Sequence, residues 1–218
     1  MKEKINLFKD VITVYVFVFI VWGFYRYLFR LPDEIEEIIL KPLVWLGPVI
    51  WFLFREKANL SSIGWTTKNL FKNIYFALFL GIFFAILGLA SNLIKYQSFS
   101  FSEISFLETP ELFFMALGLS LITAISEETV FRGYLFSRLW HVIDDEWFAN
   151  LVTSLGWVLI HLPIAIFVFH YEGGLLLVFL LLNFIFGLGA AFVFARTKAI
   201  IAPVLLHVFW SWPIILFR

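Results

Sequence analysis

Apolar runs of about twenty residues, nearly free of charge, follow one another along this chain, and no other feature limits its fold as tightly. The first extends from Asp10 to Phe29. As a helix rising about 1.5 Å per residue, such a run crosses the roughly 30 Å of hydrocarbon in a bilayer. Further runs lie near residues 37–54, 71–94, 110–125, 147–169, 174–195 and 199–217, which makes about seven. The expected fold class is therefore all-α, a polytopic transmembrane helical bundle of about seven to eight helices. Apolar residues make up 62% of the chain against about 45–50% in soluble proteins, and charged residues 15% against about 25%. A water-soluble globule is excluded. The 29 Phe, 9 Trp and 7 Tyr suit lipid contact and interfacial belts, where a ring keeps its polar edge wet and its face dry.

The first run reads as an anchor. A cleavable signal has a shorter apolar stretch followed by small residues, whereas this one continues through Trp22, Phe24, Tyr25 and Tyr27. The second is interrupted by Lys41, Pro42 and Pro48, and the fourth is short. No long repeat or soluble appendage is visible, so residues 1–218 read as one integral membrane domain. Within it, residues 1–109 hold N-terminal helices and residues 110–217 the candidate core. Ala77, Gly81 and Ala85 fall on one face of the third run, and Gly187, Ala191 and Ala195 on one face of the sixth. Small-residue stripes of this kind let helix backbones approach closely in lipid.

Orientation follows from the basic residues, which gather in short cytoplasmic segments. With the N-terminus inside, the inner segments hold eleven of the sixteen: Lys2, Lys4, Lys9, Arg55, Lys57, Lys68, Lys72, Arg132, Arg138, Arg196 and Lys198. The outer segments hold Arg26, Arg30, Lys41, Lys95 and Arg218. The expectation is a cytoplasmic N-terminus and an outer C-terminus. The 126–146 segment is then expected at the cytoplasmic face, with an active-site cavity near it. Equal numbers of acidic and basic residues, 16 each, and the lack of a basic run give no electrostatic reason to bind nucleic acid. The absence of Cys removes disulfides, thiol nucleophiles and thiolate metal sites together.

Ionisable groups inside a span cost about 2.5–3.5 kcal/mol each at mid-helix, so each is a functional-site candidate. Glu128 and Arg132, four apart on a helix, can pair, while Glu127 points about 100° away and is expected to stay free as a general base. A solvated helix start, with acidic residues favoured by the helix dipole, is the alternative. His161 has only apolar neighbours, and His207 has Ser211 one turn on, on the same face. Taken singly, each His also reads as a structural hydrogen-bonding residue, and His141 and His170 read as interfacial. Two carboxylates and two embedded His on three helices can converge on one polar cavity that holds a water. One Glu and one His would take its proton while a second His donates to a developing oxyanion, which is peptide hydrolysis. A metal bound by Glu and His, zinc for example, is the other chemistry such groups allow, although no HExxH occurs.

The order Glu127-Glu128-xxx-Arg132, then Trp157-xxx-His161, then His207-xxx-Ser211 resembles the CPBP family of intramembrane proteases, also called Abi. That family includes the type II CAAX prenyl endopeptidases and bacteriocin-processing or immunity proteins. The similarity covers about Glu111 to Trp212, including the stretch from Phe184 to His207 that leads into the last motif. It implies that Glu127 and His161 activate the attacking water, that His207 with residue 211 stabilises the oxyanion, and that Glu128 and Arg132 support the site. Members have been described both as metalloproteases and as metal-free glutamate proteases, and the sequence leaves both open. Trp157 stands where Phe is usual, and Ser211 where Asn or Asp is usual. The implied substrate is a lipidated or membrane-associated peptide in the bilayer. A non-catalytic immunity or scaffold protein of the same fold is the alternative, and a proton-relay transporter a third.

Overall fold

A computed structural model describes residues 2–96 and 109–216, and among them every regular element is helical. Helix α1 spans Lys2–Leu28. Helix α2 spans Asp33–Glu56, and a short 3-10 turn, Leu60–Ile63, follows it. Then come α3, Leu70–Tyr96, and α4, Pro110–Ile143. The last three are α5, Glu146–Val168, α6, Gly173–Thr197, and α7, Ile201–Leu216. The first six are long and apolar enough to cross a membrane. Helix α7 has 16 residues, about 24 Å at the usual rise, and packs most extensively along α3.

The bundle is apolar outside and partly polar inside, as lipid demands. Phe54, Phe71, Phe79 and Leu177 point outward, whereas Asn150, Ser154, Glu128 and Arg132 are buried. Inside, polar side chains tie helices together: Asn150 Nδ2 of α5 donates to the Leu188 carbonyl of α6, and Ser154 Oγ donates to Asn150 Oδ1. The small-residue stripes do the packing expected of them. A Cβ at Gly81 would lie 2.9 Å from the Phe209 ring of α7.

The sequence places the fourth span at 110–125 and the 126–146 segment at a membrane face. Instead α4 runs unbroken for 34 residues, and Ser126 to Phe136 are buried in the bundle. Only Asp144 and Asp145 turn the chain into α5, with Asp145 capping that helix through the Phe148 N–H. The reason is pairing: Glu128 and Arg132 neutralise each other, so a stretch that reads as too polar for the interior stays inside. Helix α2 likewise continues through Lys41, Pro42 and Pro48.

Among the described residues three helices contain π segments, Glu36–Leu40 in α2, Thr129–Phe136 in α4 and Ile164–Val168 in α5. Such i→i+5 stretches are costly and gather at functional sites. Each one here touches a residue of the polar cluster: Glu37 and Lys41, Glu128 and Arg132, and His161.

Contacts define two ends. At the N-terminal end Lys4 Nζ donates to the Val142 carbonyl, Arg138 binds Glu56 and Ser62, Arg196 binds Glu146, and the Ile200 N–H reaches the Gly64 carbonyl. At the opposite end Arg30 donates to the Phe167 carbonyl, Lys95 to the Tyr171 hydroxyl, and Asn92 to the Pro213 and Ile214 carbonyls. Arg218, counted among the outer basic residues, lies outside the described residues.

The π segment of α4 presses on the 3-10 turn at Gly133, where a Cβ would stand 2.7 Å from the Ile63 carbonyl oxygen. Because that obstacle is backbone, it cannot rotate away. Gly133→Ala is expected to destabilise the protein by about 1–3 kcal/mol, read as a lowered thermal unfolding midpoint in detergent. A fully retained midpoint would show that the turn yields.

Candidate active site

Four helices bring the polar residues together. Glu127 and Glu128 come from the middle of α4, His161 from the last turns of α5, His207 from α7 and Lys41 from α2. A cavity of about 680 Å³ has Glu127, His161 and His207 at its inner end, with Trp157, Asn183, Trp210 and Ser211 in its walls.

Glu128 is fully buried. Its Oε1 accepts from Arg132 Nη1 at 3.1 Å and lies 2.8 Å from His207 Nδ1. The expected Glu128–Arg132 pair is therefore present, with His207 as a third member. The Arg132 guanidinium lies over the Trp157 ring at 4.3 Å, close to Phe186 at 5.3 Å, so aromatic faces share in solvating the cation. Glu128 Oε2 and Trp157 Nε1 are buried without a hydrogen-bond partner among the described residues.

Glu127 is not free, as the helical spacing alone would have it. Lys41 Nζ donates to its Oε1 at 2.9 Å and also contacts both oxygens of Glu37, at 2.9 and 2.6 Å. Thr123 donates to Glu37 in turn. Sorting Lys41 with the outer loop charges is thus corrected, because the side chain is 4% exposed and lies among carboxylates. Arg26 and Arg132 also leave the count of loop charges, since Arg26 pairs with Glu36 and Arg132 with Glu128. Glu37 and Lys41 are the site residues that the sequence reading passed over. The signal was present: an acid and a base at i and i+4 inside an otherwise apolar span.

The histidines differ in what their rings can do. His161 Nδ1 lies 2.8 Å from the Trp157 carbonyl, which can only accept, so Nδ1 carries the proton and Nε2 keeps a lone pair. The ring packs against Trp157 with centroids 4.4 Å apart and planes tilted by 47°. His207 has Nδ1 on Glu128 and Nε2 3.9 Å from Glu127 Oε2, which is beyond direct hydrogen-bond reach. Ser211 lines the cavity, but its hydroxyl donates to the Val208 carbonyl at 3.3 Å. This is the local helical bond that Ser commonly makes.

Glu37, Glu127 and Glu128 face Lys41 and Arg132, and His207 lies between Glu127 and Glu128. A metal fits less readily. An ammonium already holds Glu127 Oε1, Arg132 and His207 hold Glu128 Oε1, and among the described residues no three His, Asp or Glu are placed as ligands for one ion.

The cavity runs from this cluster to Lys95, Phe169, Tyr171 and Leu175. These residues sit at the end of the bundle opposite the N-terminus. A cytoplasmic N-terminus and a cavity near the cytoplasmic face therefore cannot both hold.

Neither a curated protein nor a solved structure matches the chain. A family model does, the one described as Type II CAAX prenyl endopeptidase Rce1-like, over residues 109–213. The matched segment is just under half of the chain and contains Glu127, Glu128, Arg132, His161, His207 and Ser211, whereas Lys41 and Glu37 precede it. Over residues 109–213, then, this polytopic helical membrane protein matches the Rce1-like type II CAAX prenyl endopeptidase family model.

Proposed function

We propose that the protein is an intramembrane endopeptidase that hydrolyses a peptide bond of a membrane-associated substrate with a water activated by Glu127. The family implies CAAX intramembrane endopeptidase activity in general. The observation that carries the finer reading is the division of labour at Glu127, with Oε1 held by Lys41 and Oε2 facing His207 across 3.9 Å. A carboxylate fixed by one oxygen and open at the other is built to accept a proton from a water in that gap.

In this reading the water gives a proton to Glu127 Oε2, or to the lone pair of His161 Nε2, and its oxygen bonds to the scissile carbonyl carbon. Charge develops on the carbonyl oxygen. The imidazolium of His207, held by Glu128, donates Nε2–H to that oxygen. When the C–N bond breaks, the proton taken from water passes to the leaving amine, and acid and amine products result. Glu128 and Arg132 are positioning residues: they hold His207 and balance its charge. Ser211, engaged with Val208, is a wall residue. No step here runs through a metal.

The test is cleavage of membrane-associated peptides by the purified protein in detergent, with and without a chelator. Glu127→Gln keeps size and polarity but cannot take a proton, so turnover is expected to fall by about 10²–10⁴-fold with the thermal midpoint retained. Near-normal turnover would remove Glu127 from the chemistry. Lys41→Met leaves Glu127 unheld, and kcat is expected to fall by about 10²-fold. In Lys41→Arg, which restores the cation, much of it should return, whereas equal losses in both variants would mark Lys41 as packing only. Arg132→Met strands the buried Glu128 carboxylate and is expected to cost about 3–5 kcal/mol of stability, visible in thermal unfolding. An unchanged midpoint would show that the pair is not buried as described.

A further inference from the structure

Which side of the membrane the cavity serves follows from combining the two ends of the bundle with their charges. The N-terminal end carries Lys2, Lys4, Lys9, Arg55, Lys57, Lys68, Lys72, Arg138, Arg196 and Lys198 on short segments or helix termini. Once Arg26, Arg132 and Lys41 are recognised as ion-paired within the bundle, the cavity end keeps only Arg30 and Lys95 among the described residues. Arg55, Arg138 and Arg196 at the N-terminal end are ion-paired too, and leaving them out as well still keeps seven cations there, so the contrast survives the same count at both ends. Lys and Arg in short segments mark the cytoplasmic side, because they resist translocation.

We infer that the cavity opens to the non-cytoplasmic side of the membrane, and that its substrate is an apolar or lipidated peptide segment displayed on that side. The substrate part rests on the endopeptidase reading; the sidedness does not. The route inward starts at Lys95, Phe169, Tyr171 and Leu175 and passes Phe179 and Leu182 before reaching Glu127. Those apolar walls admit an unfolded apolar segment, and a volume of about 680 Å³ holds a few residues of it. His161 lies seven residues before the end of α5 at Val168, about 10 Å of helix, so the chemistry is within short reach of that face. A carboxyl-terminal CAAX sequence presented in the cytoplasm does not reach this mouth, so the substrate differs in location from that of a cytoplasm-facing prenyl endopeptidase.

The chain has no cysteine, so single substitutions report side without a background. Glu172→Cys marks the cavity mouth, Ser91→Cys the cavity wall, and Ser61→Cys the exposed turn at the other end. A membrane-impermeant maleimide is applied to intact cells and to inverted vesicles, and reaction of all three in detergent is the reference. The expected result is labelling of Glu172→Cys in intact cells, with Ser91→Cys following more slowly, and labelling of Ser61→Cys only in inverted vesicles. Labelling of Ser61→Cys in intact cells, or failure of Glu172→Cys to label there, overturns the orientation. A second arm supplies an impermeant peptide substrate to one side of sealed vesicles, and cleavage is expected only from the outer side. Correct labelling with no cleavage from either side overturns the endopeptidase reading and leaves the sidedness standing.

Discussion

The interior of this bundle depends on compensating charge where no water is available to do it. A lone carboxylate there costs several kcal/mol, and this cluster holds three, Glu37, Glu127 and Glu128, within reach of Lys41, Arg132 and His207. Each partner comes from a place that fixes a helix. Lys41 ties α2 to α4, His207 ties α7 to α4, and Arg132 closes a turn of α4 while lying over Trp157 of α5. The helices are consequently held in register by groups that line the cavity, Glu127 and His207, and by the charges packed directly behind them. Replacing any one of them with an apolar residue leaves a charge behind, so a fold built this way keeps its site.

The π segments are the backbone counterpart of that network. Changing hydrogen bonds from i→i+4 to i→i+5 turns the following residues about the helix axis. In α2 the widened stretch precedes Lys41, in α4 it follows Glu128 and contains Arg132, and in α5 it follows His161. The close approach at Gly133 shows how tightly the widened part of α4 is packed, since only a residue without a side chain passes the Ile63 carbonyl.

Much of the site was legible because charge in an apolar helix is rare and therefore informative. Glu127, His161 and His207 each stand out against their neighbours, and the cavity gathers all three. Lys41 was legible in principle but concealed by context: beside Pro42 and with Pro48 following, it reads as a break between spans. The same misreading shortened the fourth span, because Glu127, Glu128 and Arg132 look like a loop until their partners are known. In both places local polarity was taken for exposure, when pairing across the bundle had cancelled it.

The sequence by itself determined the class of the fold, the number of apolar runs and the ionisable residues at the inner end of the cavity, since length and hydrophobicity decide what a bilayer accepts. Tertiary structure decided everything that depends on partners from distant positions. Lys41 and Glu127 stand 86 positions apart with no periodicity that links them, and their contact exists only because α2 packs against α4. Which ring nitrogen of His161 keeps its lone pair, which oxygen of Glu127 stays open and which end of the bundle the cavity meets are likewise matters of placement in three dimensions. Side-chain pairing energies act through space, and a sequence records only the order in which the partners are made.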